Sequence, residues 1–486
     1  MNWLTTTINT TIDINEIPVQ NINDLREEVI NLKKRVVGFF GKQEWNGVRL
    51  FVTLADDKES KLYLSSAFFD NNSPKEYESI TQFIPAFHMF EREFYEEFGI
   101  KPLNHPWLKP VRNHSVDYPF FEVKGEEVHQ VAVGPIHAGV IEPGHFRFMC
   151  NGEKVYDLEI RLGYQTRGAE DLMVKSPSNQ LAESICGDSV IAYNLAYSRA
   201  VETLKGIKIS NKAEIIRLIA LEMERMAIHI GDLGAIAGDI AYLMGASIFG
   251  VTRTLVINTL LEISGSRFGR GLICVGGVNF DITRQMADEI IIPMLNKVSK
   301  DVKRTFKVMV KSPTVMSRLE KTGVVSHATA KDLGLVGMAG RASGIELDSR
   351  FDFPSKWLEG VEDKKINATG DVYSRTRIRY KEILQSIFIV KQLLKKLPKY
   401  KKEPLFVEEN QEQKPNSMVI SIVEGWRGEV IHTAITDEKG HFSRYKIKDA
   451  SFNNWYGLAM AVRNNGISDF PLCNKSFNLS YCGNDL

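Results

Sequence analysis

PAFHMFEREFYEEFGI, residues 85–100, carries every mark of one amphipathic helix. Proline suits a first helical turn, Gly99 suits a stop, and Phe87, Phe90, Phe94 and Phe98 share one face. The remaining positions hold Glu91, Glu93, Glu96 and Glu97 with Arg92. Two of these acids fall in the last turn, where the helix dipole disfavours anions. Two readings of the acidic positions stand: a solvated face, or a face that meets a basic surface. Working outward toward the N-terminus, RVVGFFG (35–41), VRLFVTLAD (48–56) and KLYLSSAFF (61–69) are rich in Val, Leu, Phe and Tyr and read as strands. The phenylalanine face therefore has a sheet to cover, which makes an α+β domain. On the other side, Pro102, Pro106, Pro110 and Pro119 predict an extended connector and a boundary near residue 120.

Beyond the connector, VHQVAVG (128–134) and HFRFMCNGEKVYDLEIRLG (145–163) read as strands joined through turns such as Asn151-Gly152. From about 180 to 320 the pattern is helical. KKLPKYKKEPLFVEENQEQKP (395–415) reads as a solvated loop, and MVISIVEG and GEVIHTAIT return to strands before a helix around NNWYGLAMAVRNN. The fold expected is an α+β N-terminal domain (1–120) followed by a mainly α-helical large domain with small β-sheets (121–486).

The chain has 486 residues, 43% of them apolar, so a substantial core is available. Its 61 basic residues against 60 acidic leave a formal charge of +1, which supplies no footprint for nucleic acid. Five scattered cysteines, Cys150, Cys186, Cys274, Cys473 and Cys482, suit a reducing compartment rather than a disulfide scaffold. No signal-peptide pattern opens the chain, and no span is expected to cross a bilayer, since the greasiest stretch is cut by Glu222, Glu224, Arg225 and Asp232. There is no G-x-x-x-x-G-K-[ST], no H-E-x-x-H and no C-x-x-C. Gly269-Arg-Gly271-Leu-Ile-Cys274 fails as a dinucleotide fingerprint at its third glycine. By itself the chain is expected to bind neither a nucleotide nor an iron–sulfur cluster.

One polar constellation stands on periodicity. Glu222, Arg225, His229 and Asp232 fall at i, i+3, i+7 and i+10, with Asp239 continuing the stripe, among Ile, Leu, Met and Ala. It reads either as a solvated face braced by ion pairs or as an inward chain of ionisable groups. Cys150, Cys274 and Cys473 read as small buried hydrophobes.

The run from Glu91 to Ile100, followed by His105-Pro106, resembles the signature of the 30 kDa subunit of complex I. GPIHAGVIEPGHFRF (134–148), LGYQTRGAEDL (162–172), LEMERMAIHIGDLG (221–234), GLVGMAGRASG (334–344), VEGWRGEVIH (423–432) and FPLCNKSFNLSYCGNDL (470–486) resemble the 49 kDa subunit. They resemble more closely the large subunit of membrane-bound, formate hydrogenlyase-type [NiFe] hydrogenases. In that family four thiolates, in R-x-C-G-x-C and D-P-C-x-x-C motifs, hold the metals, because soft sulfur suits nickel and low-spin iron. Here the motifs read Ser184-Ile185-Cys186-Gly187-Asp188-Ser189 and Asn478-Leu479-Ser480-Tyr481-Cys482-Gly483. Cys186 keeps its place, while Ser189, Ser480 and Gly483 stand at the other three ligand positions. The resemblance therefore implies a hydrogenase-related chain without a [NiFe] centre.

The resemblance also assigns roles. Glu142 matches the hydrogenase proton-relay carboxylate, His145 falls near the quinone-facing histidine of complex I, and His137 begins the same hairpin. The alternative for the two histidines is that they satisfy backbone groups in a Pro/Gly turn. Arg427 matches an arginine beside the metals, with Trp426 where a proline is usual, and with Asp188 and Cys186 it completes the expected catalytic group. Glu222, Arg225, His229, Asp232 and Asp239 would form a proton path. The implied setting is the cytoplasmic side of the cell membrane. The partners would be an iron–sulfur small subunit, a ferredoxin-like subunit and antiporter-like membrane subunits, and a quinone is the candidate acceptor. The rival readings are an active hydrogenase with unusual ligands and a redox-inactive scaffold.

Overall fold

The computed structural model describes residues 2–115, 118–137, 142–361, 367–408 and 411–486. Three long strands, Arg35–Glu44, Gly47–Asp56 and Lys61–Asp70, form an antiparallel meander, with Leu4–Thr6 on its far edge and Val19–Gln20 parallel to the third strand. The helix His88–Phe98, entered through a 3-10 turn at Pro85–Phe87 and closed by a left-handed Gly99, lays Phe90 and Phe94 against Phe39 and Phe69. Phe39 meets the Phe94 ring edge-on at 5.6 Å. A Cβ on Gly41 would stand 2.4 Å from the Phe98 ring, so the strand holds no side chain where the helix crosses it.

The sheet's other face is also covered. Ser417–Glu424, Glu429–Thr436 and Phe442–Lys448 make a second antiparallel sheet, which Ile12–Asp13 from the N-terminus completes by pairing with Ser417 and Met418. Phe40, Phe51, Leu62 and Leu64 of the first sheet share a core with Met418, Ile420, Ile431 and Ile435 of the second. The N-terminal and C-terminal parts of the chain are therefore one packed body along this seam. A third sheet, Val128–Val133, His145–Asn151 and Lys154–Arg161, includes the hairpin predicted at Asn151-Gly152.

The largest core is helical. Ser210 caps the 29-residue helix Asn211–Asp239, which packs on Leu243–Ser264 and Val372–Lys396. The fold expected from sequence, an α+β region and then a mainly helical region with small sheets, is what the structure has. Three expectations change. Residues 395–400 continue the Val372–Lys396 helix into a 3-10 turn with Leu397 buried, so only the later part of the lysine-rich stretch is irregular. The Leu243–Ser264 helix is long and apolar enough to cross a membrane by length and composition, although one face, with Phe249, Val256 and Leu260, is buried in this body. Of the acidic residues of 88–98, Glu97 is exposed, but the others do not form a solvated face. Glu91 is buried and accepts from the Ser79 and Thr81 hydroxyls and the Ile80 and Thr81 amides at 2.6–3.0 Å, while Glu93 pairs with Arg112 and Lys446. The basic surface that this helix meets belongs to its own chain.

Candidate functional site

The site forms where three loops converge. Cys186 closes the short helix Asn179–Ile185, and Ser189 immediately precedes the helix Val190–Lys205. Between them, Asp188 projects toward the loop that joins Ser417–Glu424 to Glu429–Thr436. From that loop Arg427 grips Asp188 with two bonds of 2.7 and 2.6 Å. Trp426, at the position where a proline is usual in the family, donates its indole N–H to the Asp188 carbonyl at 2.8 Å. The guanidinium also lies 4.0 Å over the indole ring. Gly337 makes this approach possible: with φ of +62°, any Cβ there would stand 2.0 Å from the Arg427 carbonyl.

The third loop, Asn478 to Ser480, leads into the short helix Tyr481–Asp485, which Ser480 caps. Ser480 Oγ lies 3.3 Å from Cys186 Sγ and 3.4 Å from Cys482 Sγ, while accepting the Gly483 amide at 2.9 Å. Cys186 Sγ is also 3.1 Å from Asp188 Oδ1 and 3.6 Å from Arg427 Nη1. The Cys186 thiol is held well above its ordinary range, chiefly by its hydrogen bond to Cys482 and then by burial. The Cys482 thiol, receiving that bond, is held below its ordinary range. Burial opposes ionisation of Asp188, but the Arg427 guanidinium outweighs it and leaves the carboxyl low. Glu142 is bonded to Cys482, and burial with the nearby Asp188 charge raises its carboxyl.

This donor set does not fit a four-thiolate bimetallic centre. Two sulfurs and a hydroxyl occupy the pocket. A Cβ on Gly483 would meet the Tyr193 hydroxyl, Asp449 and Ser480 Oγ at 2.8–2.9 Å. Ser189 is buried at the start of its helix, where its hydroxyl makes no capping bond. Hard oxygen donors and a filled fourth corner are poor partners for nickel and low-spin iron. Among the described residues no group of three or more His, Cys, Asp or Glu is arranged to hold a metal ion.

His145 opens the strand His145–Asn151 and lies 5.7 Å from the Phe120 ring. Burial and the Arg161, Lys109 and Arg147 cations lower its imidazole below the usual range. His137 is exposed, and residues 138–141 lie outside the described residues.

The stripe Glu222, Arg225, His229 and Asp232 is buried, so the solvated reading of it is corrected. Its partners come from the Val372–Lys396 helix and the segment 341–350. His229 Nε2 is 2.8 Å from Glu382 Oε2, and Arg341 donates to Glu382 Oε1 at 3.0 Å. Arg350 reaches both Glu222 oxygens at 3.2 Å, and Ser386 donates to Glu222. Burial keeps the His229 imidazole below its ordinary range despite Glu382. Burial disfavours the Glu382 anion too, but Arg341 and His229 more than offset it and hold the carboxyl well below the usual range. Asp239, by contrast, is exposed at the helix end, outside this buried network.

Stripe and pocket are connected. Arg427 Nε donates to the Asn478 carbonyl at 2.6 Å, the Asn478 amide donates to Asp232 Oδ1 at 2.8 Å, and Arg379 donates to Asp232 Oδ2 at 2.9 Å. Trp426 meets the His229 ring edge-on at 6.0 Å. One further buried acid lies off the stripe, where periodicity does not single it out. Glu224 leaves the Asn211–Asp239 helix on another side and accepts the Ile191 and Ala192 amides at 2.7 and 3.3 Å, directly behind Asp188. Burial, against those two amides, raises its carboxyl to about 8. The signal was present, since Glu224 is a lone acid flanked at helical spacing by Ala220, Leu221, Ala227 and Ile228.

Residues 33–120 match the family described as the 30 kDa subunit of respiratory-chain NADH dehydrogenase, and residues 239–416 match its 49 kDa subunit. The chain is 28% identical to hydrogenase-4 component G of Escherichia coli K12, over 85% of this chain and 76% of that one. It is 29% identical to the membrane-bound hydrogenase subunit alpha of Pyrococcus furiosus, over 70% of this chain and 83% of that protein. In fold it is similar to a chain of a membrane-bound sulfane sulfur reductase, an archaeal respiratory membrane complex, with a TM-score of 0.69 at 20% identity, covering 76% of this chain and all of that one. The polypeptide is thus a fusion of 30 kDa-type and 49 kDa-type regions, related to the large subunits of membrane-bound hydrogenases. It is a subunit of an oxidoreductase complex of the hydrogenase and NADH-quinone oxidoreductase kind.

Proposed function

We propose that this chain is the peripheral, cytoplasm-facing subunit of a membrane-bound, complex I-like respiratory enzyme, and that it works without a [NiFe] centre of its own. Electrons arrive from a partner iron–sulfur subunit. The pocket of Cys186, Asp188, Arg427 and Glu142 receives them, either by reducing a quinone-type acceptor or by changing protonation state so that ion movement follows in the membrane subunits. Quinone reduction consumes two protons, and a carboxyl that burial holds above its usual range, as at Glu142, is suited to deliver one. Arg427 stays charged and orients Asp188 rather than shuttling protons.

The observation that carries the reading is the unbroken run of bonds from Asp188 through Arg427, Asn478 and Asp232 to Arg379, with the His229–Glu382–Arg341 cluster beside it. A buried charge linked in this way to other charges through hydrogen bonds is felt along the run when the charge at one end changes. Docking to membrane partners is supported by the outer face of the Leu243–Ser264 helix, where Leu243, Met244 and Val251 are exposed. The test is made on the purified complex. Elemental analysis should find no stoichiometric nickel, and one nickel per chain would defeat the metal-free reading. Glu142→Ala and His229→Ala should each lower turnover-linked ion transport by about a hundredfold, the lower end of what a positioned proton-transfer group contributes. Full transport in both variants would leave a scaffold as the better description.

A further inference from the structure

We propose that Cys186 and Cys482 form a redox-active dithiol that exchanges with small disulfides and closes into an intramolecular 186–482 disulfide. The inference stands apart from the acceptor assigned above, because it concerns chemistry the two sulfurs can do by themselves.

Of the five cysteines, these two are brought together from distant parts of the chain. Both sulfurs sit on one hydroxyl, Ser480 Oγ, at 3.3 and 3.4 Å, and the Cys186 thiol is hydrogen-bonded to Cys482. The pair is asymmetric. Cys186 is buried at 1% exposure, whereas Cys482 is half-buried, so Cys482 is the more accessible of the two. Arg427 Nη1 lies 3.6 Å from Cys186 Sγ, where a cation stabilises a thiolate as it forms. An accessible attacking sulfur backed by a buried resolving one is the arrangement that dithiol exchange requires. Cys150 and Cys473 are buried elsewhere in the core.

The step balances without any further reactant. Cys482 thiolate attacks one sulfur of a low-molecular-weight disulfide RSSR, forming a Cys482–S–SR bond and releasing RS⁻. The departing RS⁻ takes the proton of Cys186. The Cys186 thiolate then attacks Cys482 Sγ, forming the Cys186–Cys482 bond and expelling the second RS⁻. The cysteine pair loses two electrons, RSSR gains them, and one thiol and one thiolate leave.

The experiment treats the reduced, full-length chain with oxidised glutathione, blocks the remaining thiols by alkylation and maps the peptides. The wild type should lose two alkylatable thiols and yield one linked peptide pair joining 186 to 482. Cys186→Ser should stop at a single glutathione on Cys482, and Cys482→Ser should leave Cys186 free to alkylate. The wild-type map alone decides the question if a variant fails to fold. Cys186 and Cys482 both fully alkylated after oxidation, or Cys482 carrying glutathione in the wild type with no 186–482 link, would overturn the proposal.

Discussion

Glu224 shows how much a single carboxyl can do when burial outweighs the charges and amides around it. It is buried, its two hydrogen-bond donors are backbone amides, and its carboxyl titrates near 8 against 4.5 in an ordinary setting. The folded state therefore holds a proton that the unfolded chain releases above about pH 4.5. The stabilisation from this site is complete below that value and is lost as pH rises toward 8, at about 1.4 kcal/mol per pH unit. Glu224→Gln should flatten this slope. Urea midpoints measured at pH 6 and pH 8 should fall in the wild type and change less in the variant. Equal slopes would mean that Glu224 is ionised throughout. The residue is legible in the sequence only as an exception to its apolar neighbours, because its partners are amides of another helix, and backbone donors leave no mark in a side-chain pattern. Arg427 is the opposite case. The loop sequence Trp426-Arg427-Gly428 points to it, yet the indole bond that ties this loop to the Asp188 carbonyl joins positions 238 residues apart and leaves no local mark.

At the scale of the element, periodicity placed Glu222, Arg225, His229 and Asp232 on one side of a helix but left open whether that side met water. Amphipathic stripes usually do. Here the facing Val372–Lys396 helix and residues 341–350 bring Glu382, Arg341, Asp348 and Arg350, so the charges are matched inside the bundle. That matching depends on residues more than a hundred positions away, which is why a local reading could not reach it. Glu382 is the hinge of the network, since both its oxygens are engaged, one by His229 and the other by Arg341. Removing one member of a buried charge cluster leaves the others uncompensated, at about 3–5 kcal/mol. Glu382→Ala should lower stability by that amount in denaturant titrations followed by circular dichroism, while Glu382→Gln, which keeps one acceptor, should cost less. Losses below about 1 kcal/mol in both would mean that water or rearranged neighbours take over the pairing.

For the whole molecule, the sequence divides naturally near residue 120, but the seam between the two parts is built like an interior. Ile12 pairs into the C-terminal sheet, Phe90 meets Phe452 edge-on at 5.1 Å, and Arg35 donates to both oxygens of Glu429 at 2.8 and 2.9 Å. Lys448 reaches the same carboxylate at 2.7 Å. Burial disfavours ionised Glu429, yet Arg35 and Lys448 together bring its carboxyl down to about 2. Glu93, buried and held by Lys446 and Arg112 along the same seam, also lies at about 2. Because the folded values are below the unfolded ones, the stabilisation is complete above about pH 4.5 and drains away as pH falls toward 2. Acid should therefore open the molecule along this seam, and calorimetry at pH 7 should show a single cooperative transition that moves down steeply below pH 4.5. Glu429→Gln removes the anion while leaving Arg35 and Lys448 buried. It should lower stability at pH 7 by about 3–5 kcal/mol and make the acid-induced loss shallower. Two well-separated transitions in the wild-type scan would show instead that the two parts unfold independently and that the ion pairs at the seam contribute little to either.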